Sequence, residues 1–447
     1  VRDDGWVHDR NVALLTDLYE LTMLQAYWRE GMDEKAVFSL FVRKLPEDRN
    51  YLVACGLDDA LRFLETFRFS KESLDYLASL PYFSEDFLSW LSKLTFSGSV
   101  YAVREGTPVF EQEPILEVEA PLPQAQIAES FLMNQVHFQT VIASKASRVV
   151  TAAEGRTVVD FGLRRMHGAD AGLKAARAFY IVGVSATSNV LAGEVYGIPV
   201  AGTMAHSYIQ AHETELEAFR QFSALYPETI LLVDTYDTLS GVRNVVRLAA
   251  ELGDRFRVRG VRLDSGDLAT LGRQSRAILN EAGLERVALF ASGGLDEGEI
   301  AHLVNETPEI GGFGVGTRMG VSMDAPALDM AYKLTSYAGR GRLKLSTGKG
   351  ILPGRKQVFR GEGEDVLARH DEDLPGRPLM HKVRENGRRL PSHRTDLGAI
   401  RDDAATEIES LPASVKALER ARPPYPVRVS DALAAYQREI AADVGTE

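Results

Sequence analysis

Cysteine is nearly absent: Cys55 stands alone in 447 residues, which excludes an internal disulfide and any CxxC metal knuckle and leads us to expect a reducing compartment, the cytoplasm by default. Purely apolar runs of about 18 residues are also missing. The start, Val1-Arg2-Asp3-Asp4, is charged where an export signal needs a hydrophobic stretch. Neither a leader nor a membrane anchor is expected. Excess positive charge is lacking as well, since 51 Lys and Arg against 63 Asp and Glu leave a net charge of −12. A nucleic-acid backbone or an anionic membrane is therefore a poor partner, and any phosphate must be gripped locally. Low-complexity character is missing too: 45% hydrophobic and 26% charged residues are ordinary for a globular chain of two or three domains.

What is present changes along the chain. Helical periodicity of Leu14, Leu18, Leu21, Met23, Leu24 and Tyr27 predicts a helix within 11–30, with Thr16 or Asp17 able to cap it. Alternation over 36–43 and 98–118 predicts short strands, and helical periodicity interrupted at Pro81 fills 56–95. The stretch Pro121–Pro123 closes this N-terminal α/β domain, taken as 1–125. Next, β-branched runs recur near Val158, Ile181, Val200, Leu231, Val261, Leu289 and Phe313. Each is followed by a helix-like stretch, such as 207–223, 239–253, 267–282 and 296–305. Such alternation implies parallel βαβ units, and seven in succession close most readily into an irregular (β/α) barrel, taken as 126–335. Beyond it, Gly339, Gly341, Gly348, Gly350 and Gly354 break up a basic stretch. Met380, Lys382 and Val383 read as a strand, Asn386-Gly387 as a type I′ turn and 401–421 as a helix. This extension, 336–447, is expected to pack on the first domain or on a partner subunit.

In a barrel of this kind the site lies at the C-terminal ends of the strands. Two late loops, Ser292-Gly293-Gly294 and Gly314-Val315-Gly316-Thr317, put bare backbone N–H groups near helix starts, as a phosphate cradle requires; as tight turns they would need the same glycines. Gly312-x-Gly314-x-Gly316 lacks the acidic residue that a dinucleotide fingerprint needs about 20 positions on. Arg262, Asp264, Ser265, Gly266 and Asp267 follow another strand. Asp264 is the stronger candidate for Mg²⁺, whereas Asp267 suits either the metal or a helix N-cap. Asp234 and Asp237 form a second acidic pair. His206 also falls at a strand end, and His212, six residues on, lies on a different helix face, which argues against a two-histidine zinc site. A histidine there is structural or catalytic. If Asp234 accepts one ring N–H of His206, the other nitrogen is free to act as nucleophile or base. Asp160-Phe161-Gly162 with Arg164 and Arg165 offers an aromatic face beside guanidinium groups, suited to a flat anionic ring or to a core Phe beside surface arginines.

Taken in order, these segments resemble the nicotinate phosphoribosyltransferase family. The resemblance is carried by Thr16-Asp17-Leu18-Tyr19-Glu20-Leu21-Thr22-Met23, Asp160 to Arg165, Ser188-Asn189-Val190-Leu191-Ala192-Gly193 and Gly202-Thr203-Met204-Ala205-His206-Ser207. Arg262 to Asp267, Ser292 to Gly294 and Gly314 to Thr317 complete it. It implies a type II phosphoribosyltransferase fold, an α/β domain beside an irregular barrel, assembled as a homodimer with shared sites. It also implies ATP-coupled synthesis of nicotinate mononucleotide from nicotinate and phosphoribosyl pyrophosphate, with Mg²⁺, on the salvage route to NAD. Phe161 and a Tyr19 from the other subunit would sandwich nicotinate, with Arg164 and Arg262 beside the substrate anions. The glycines of the two loops, with Ser292 and Thr317, would hold the 5′-phosphate. His206 would be the histidine that ATP phosphorylates, oriented by Asp234, and Asp264 would serve the Mg²⁺–pyrophosphate end. Nicotinamide-using relatives carry an Asp near the position matching Ser188, so the serine implies nicotinate. A barrel lyase or isomerase acting on another sugar phosphate is the alternative that the same loops would serve.

Overall fold

The computed structural model describes residues 5–345, 351–391 and 396–444; Gly348 and Gly350 lie outside them. The chain divides into two compact units, Val1–Val141 with Ala327–Glu447, and Ile142–Pro326. The division after Val141 falls later than the expected boundary at 125, where the two prolines have a local role. Pro121 and Pro123 do not end a domain: they sit at the N-cap and second position of a helix, Leu122–Ile127, where a missing N–H costs nothing. A 24-residue helix, Glu129–Ala152, follows directly and runs through the division.

In the first unit, Lys35–Val42 lies inside a seven-stranded sheet between Met330–Tyr337 and Pro114–Pro121. The late strand His381–Glu385 pairs with Ser99–Ala102, so a segment from after residue 380 extends a sheet begun within the first 45 residues. Asn386 and Gly387 both have positive φ, 47° and 77°, as a type I′ turn demands. The predicted helix at 401–421 is two shorter ones, Leu397–Glu409 and Ala413–Lys416. Near the start, the helix is Leu18–Glu30, ended by Gly31 at φ 69°. Asp17 occupies its N-cap position but makes no capping bond; its carboxylate accepts from the Ser130 hydroxyl at 2.8 Å instead. Tyr19 stands half-exposed on the first turn.

The second unit positions the site. Its parallel strands, labelled β1 (Thr157–Asp160), β2 (Ala186–Thr187), β3 (Ile230–Leu232), β4 (Gly260–Leu263), β5 (Ala288–Ser292) and β6 (Ile310–Val315), lie in the order β2-β1-β6-β5-β4-β3. The last strand therefore pairs with the first, which is the wrap of a (β/α) barrel. Val159 of β1, Ala186 of β2 and Phe290 of β5 share one small core against which Ala201 and Ile230 of β3 pack. Strands from opposite edges meet there, so the sheet curls. Among the described residues it does not close: no ladder joins β2 to β3, and Val200 contributes a single bridge, to Thr187. The architecture is mixed α/β with a curled parallel half-barrel. Ile181 is the end of helix Ala169–Ile181, and the strand expected there begins five residues later.

Candidate active site

All six strands point the same way, so the residues following each tip gather at one edge. At β1, the buried Asp160 accepts from the Gly162 N–H at 2.8 Å and from the Thr187 hydroxyl at 2.7 Å. Burial raises its carboxyl above the usual range, and these two donors oppose that rise. One side chain thus fixes the turn after β1 and the tip of β2 together. Ser188, next in line, donates its N–H to the Asp160 carbonyl at 2.9 Å, and Asn189 caps the following helix. The neighbouring Phe161 ring lies against β6, where a Cβ at Gly314 would stand 2.5 Å from it. A side chain at position 314 and this ring placement are incompatible.

Arg262, near the end of β4, has its guanidinium carbon 5.7 Å from the Phe161 ring centroid. It donates to the Thr203 hydroxyl at 2.7 Å and to the Met204 carbonyl at 3.3 Å, while its buried Nε has no partner. Burial lowers its pKa; Asp264 and Asp234 oppose this, and the positive charge of Arg164 adds to it. Arg164 itself stands exposed on the turn Leu163–Arg165. Arg262 over the Phe161 face, with the charge of Arg164 near enough to act on it, is an arrangement that suits an anionic ring.

The acidic residues separate by role. Asp264 accepts from the Ser292 hydroxyl, tying β4 to β5. Asp234 accepts through Oδ2 from the Asp264 N–H at 3.0 Å and from the Ser265 hydroxyl, leaving its buried Oδ1 without a partner. Asp267 and Asp237 are N-caps, accepting from the N–H groups of Thr270 and Ser240, and the loop glycine between Asp264 and Asp267, Gly266, has φ 83°. His206 opens a short helix, His206–Gln210, within the connection from β2 to β3. Its Nδ1 lies 3.1 Å from the Thr235 hydroxyl and its Nε2 3.8 Å from Asp264 Oδ2. The expected orienting bond from Asp234 is thus supplied by Thr235, because Asp234 is turned toward the β4 loop. His212 contacts the Tyr208 carbonyl at 2.8 Å, a local helical role.

The two glycine loops lie side by side, since Ser292 pairs with Gly314. Gly293 (φ 93°) is required: a Cβ there would sit 1.9 Å from the Asp264 carbonyl oxygen. Gly294 (φ 68°) faces open space. Among the described residues the N–H groups of Gly293, Gly294, Gly316 and Thr317 find no acceptor. Donors without acceptors at a sheet edge suit an anion. Thr235, Thr203 and Asp160 were not assigned roles from sequence; a hydroxyl beside a histidine leaves no spacing pattern, whereas Asp160 lay inside a motif already singled out.

Residues 14–137 match the nicotinate phosphoribosyltransferase N-terminal domain model and residues 157–368 the nicotinate phosphoribosyltransferase family model. The nicotinate phosphoribosyltransferase pncB2 of Mycobacterium tuberculosis is 54% identical over 424 residues, covering 94% of this chain and 92% of that protein. The chain belongs to the nicotinate phosphoribosyltransferase family. Its counterpart in Bacillus subtilis is 43% identical over 382 residues, covering 82% of this chain and 78% of that one. The crystal structure of human nicotinic acid phosphoribosyltransferase superposes with a TM-score of 0.84 at 28% identity, covering 95% of this chain and 99% of that one. Family membership decides against the lyase or isomerase alternative. Among the described residues no helix is long and apolar enough to cross a membrane.

Proposed function

We propose that the chain is an ATP-coupled nicotinate phosphoribosyltransferase of NAD salvage. The observation that carries this reading is the convergence, at one sheet edge, of acceptorless backbone donors with two orphaned buried polar atoms, Arg262 Nε and Asp234 Oδ1. A buried polar atom without a partner costs about 1–3 kcal/mol, and an anionic substrate with a cation would satisfy both.

In this reading the 5′-phosphate rests on the N–H groups of Gly293, Gly294, Gly316 and Thr317, beside Ser292 and Gly314. The nicotinate ring lies on Phe161, its carboxylate toward Arg164 and Arg262 near Ser188. Tyr19 of a second subunit in a homodimer covers the other face. Held in this way, the pyridine nitrogen attacks C1 of the ribose as the C1–pyrophosphate bond breaks. The products are nicotinate mononucleotide and pyrophosphate. The aromatic faces favour the new pyridinium.

For Mg²⁺, the described residues hold no cluster of three or more His, Cys, Asp or Glu able to bind a metal alone. Two carboxylates, Asp264 and Asp234, one with an orphaned oxygen, fit a cation that takes its remaining oxygens from water and substrate phosphates. When bound it supplies Lewis-acid stabilisation of the pyrophosphate oxygens.

His206 takes the γ-phosphoryl group of ATP, releasing ADP, and water later discharges it as phosphate. With Thr235 accepting from Nδ1–H, the Nε2 lone pair is the nucleophile. Incubating pure protein with labelled nicotinate, phosphoribosyl pyrophosphate, Mg²⁺ and ATP tests the proposal. Nicotinate mononucleotide should appear together with pyrophosphate, ADP and phosphate; no labelled nucleotide under these conditions would refute it.

A further inference from the structure

The loops after β5 and β6 are tied together by ion pairs that the phosphate cradle alone does not explain. Ser292 and Gly314 are the last residues paired between the two strands. Four positions beyond each stand Asp296 and Arg318, and Arg318 Nη1 donates to Asp296 Oδ2 at 2.6 Å. The same aspartate uses its other oxygen to accept from the N–H groups of Gly298 and Glu299, both at 3.0 Å, capping the helix Glu297–Glu306. Partial burial pushes its carboxyl up, but the Glu299 N–H, Arg318 and the charge of Lys145 hold it below its ordinary value. A second tie runs alongside. Lys145, almost fully buried, bridges Glu297, the first residue of that helix, and Asp324 beyond the second loop, at 2.5 and 2.8 Å, and Arg148 supports Glu297 at 2.8 Å.

The cradle is therefore bounded on both sides. At its base the β5–β6 pairing sets the spacing of the loops, and at its rim the Asp296–Arg318 bond sets it again. Gly293, Gly294 and Gly316 lie between; Gly293 is packed against the Asp264 carbonyl, whereas Gly294 meets nothing within 4 Å on its side-chain face and has room to move if the rim opens. Backbone donors hold a phosphate only if both loops keep their separation, because N–H···O bonds weaken steeply outside about 2.7–3.2 Å. Arg318 keeps part of its guanidinium exposed, with a side-chain exposure of 40%, so the clasp also leaves positive charge beside the glycine loops.

We infer that Asp296 and Arg318 are positioning residues, a clasp across the two glycine loops that sets the affinity for the phosphate-bearing substrate and leaves the nicotinate subsite alone. This rests on the proposed phosphoribosyl pyrophosphate site. The test is steady-state kinetics of R318Q, D296N and R318K with each substrate varied in turn, alongside thermal midpoints. Asparagine caps helices as aspartate does, so D296N cuts the ion pair and keeps the cap.

R318Q and D296N should each raise KM for phosphoribosyl pyrophosphate about tenfold, a coupling of about 1.4 kcal/mol. KM for nicotinate should stay within about twofold and the thermal midpoint within about 2 °C. R318K should recover most of the lost affinity, and the double variant should lose no more than either single one. Unchanged KM for phosphoribosyl pyrophosphate in both single variants overturns the clasp. So does an equal rise in both KM values with a lowered midpoint, which marks general loosening. Should the wild type itself form no nucleotide, the functional reading fails; a working wild type with indifferent variants removes the clasp alone.

Discussion

The imidazole Nε2 of His206 faces Asp264 Oδ2 across 3.8 Å, while Thr235 holds the opposite ring nitrogen. The histidine is thus gripped on one side by a neutral hydroxyl and looks with the other toward the carboxylate proposed for the cation. A phosphoryl acceptor needs an unprotonated nitrogen on the reacting side.

His206→Ala should abolish nicotinate-stimulated ADP release, a loss of at least about a hundredfold, while leaving slow ATP-independent nucleotide formation. Thr235→Val should lower the ATP-coupled rate by about three- to tenfold by releasing the tautomer. Parallel assays of ADP and nicotinate mononucleotide check both, and undiminished stimulation by ATP in His206→Ala would refute the assignment.

Gly293 offers a steric test. With φ at 93° and the Asp264 carbonyl in the way, Gly293→Ala must shift the loop, at a cost of about 1–3 kcal/mol. We expect a lower thermal midpoint and at least a tenfold rise in KM for phosphoribosyl pyrophosphate. Gly294→Ala, strained by φ but unobstructed, should be the milder of the two. A reversed order would count against the packing described.

Ser188 carries the prediction on substrate choice. Ser188→Asp places a negative charge on the residue after the buried Thr187 tip. Repulsion of the nicotinate carboxylate should then lower kcat/KM for nicotinate at least tenfold. Unimpaired nicotinate turnover in that variant would be the contrary result.

A pH dependence follows from Glu20. It is fully buried in the first unit, accepts from Gln126 at 2.8 Å, and its Oε1 has no partner. Burial is the main cause that pushes its carboxyl up from 4.5 to about 7; the Gln126 bond opposes the rise, and Glu129 adds to it. The folded state therefore holds this proton more tightly than the unfolded chain. Its contribution to stability is complete below about pH 4.5 and is lost as the pH climbs through about 7. Thermal midpoints of Glu20→Gln should fall less than those of the wild type between pH 5 and about 8. Parallel curves for the two proteins would contradict this.

Much of the candidate site was legible in the sequence because several strand ends carry polar residues beside a glycine or a cap signal. Gly293 and Gly314 mark close approaches, one to the Asp264 carbonyl and one to the Phe161 ring. Asp267 could be read two ways, and the Thr270 N–H settles it as a cap. The fold was harder at its least periodic points. Ile181-Val182 looks like a strand by composition, yet it ends a helix that Gly183 stops at φ 113°. The true strand, Ala186–Thr187, is too short to leave an alternation. Thr235 was invisible for a different reason: its partner His206 lies 29 residues away and no periodicity links them.

The contact between Phe161 and Gly314 reaches beyond either residue. In the proposed complex one naked α-carbon is a party wall, with the heterocycle's floor on one side and the sugar phosphate's bed on the next. An inhibitor that wedges the phenyl ring downward would crowd its neighbour's berth, so compounds aimed at the two substrates should compete even when they never touch.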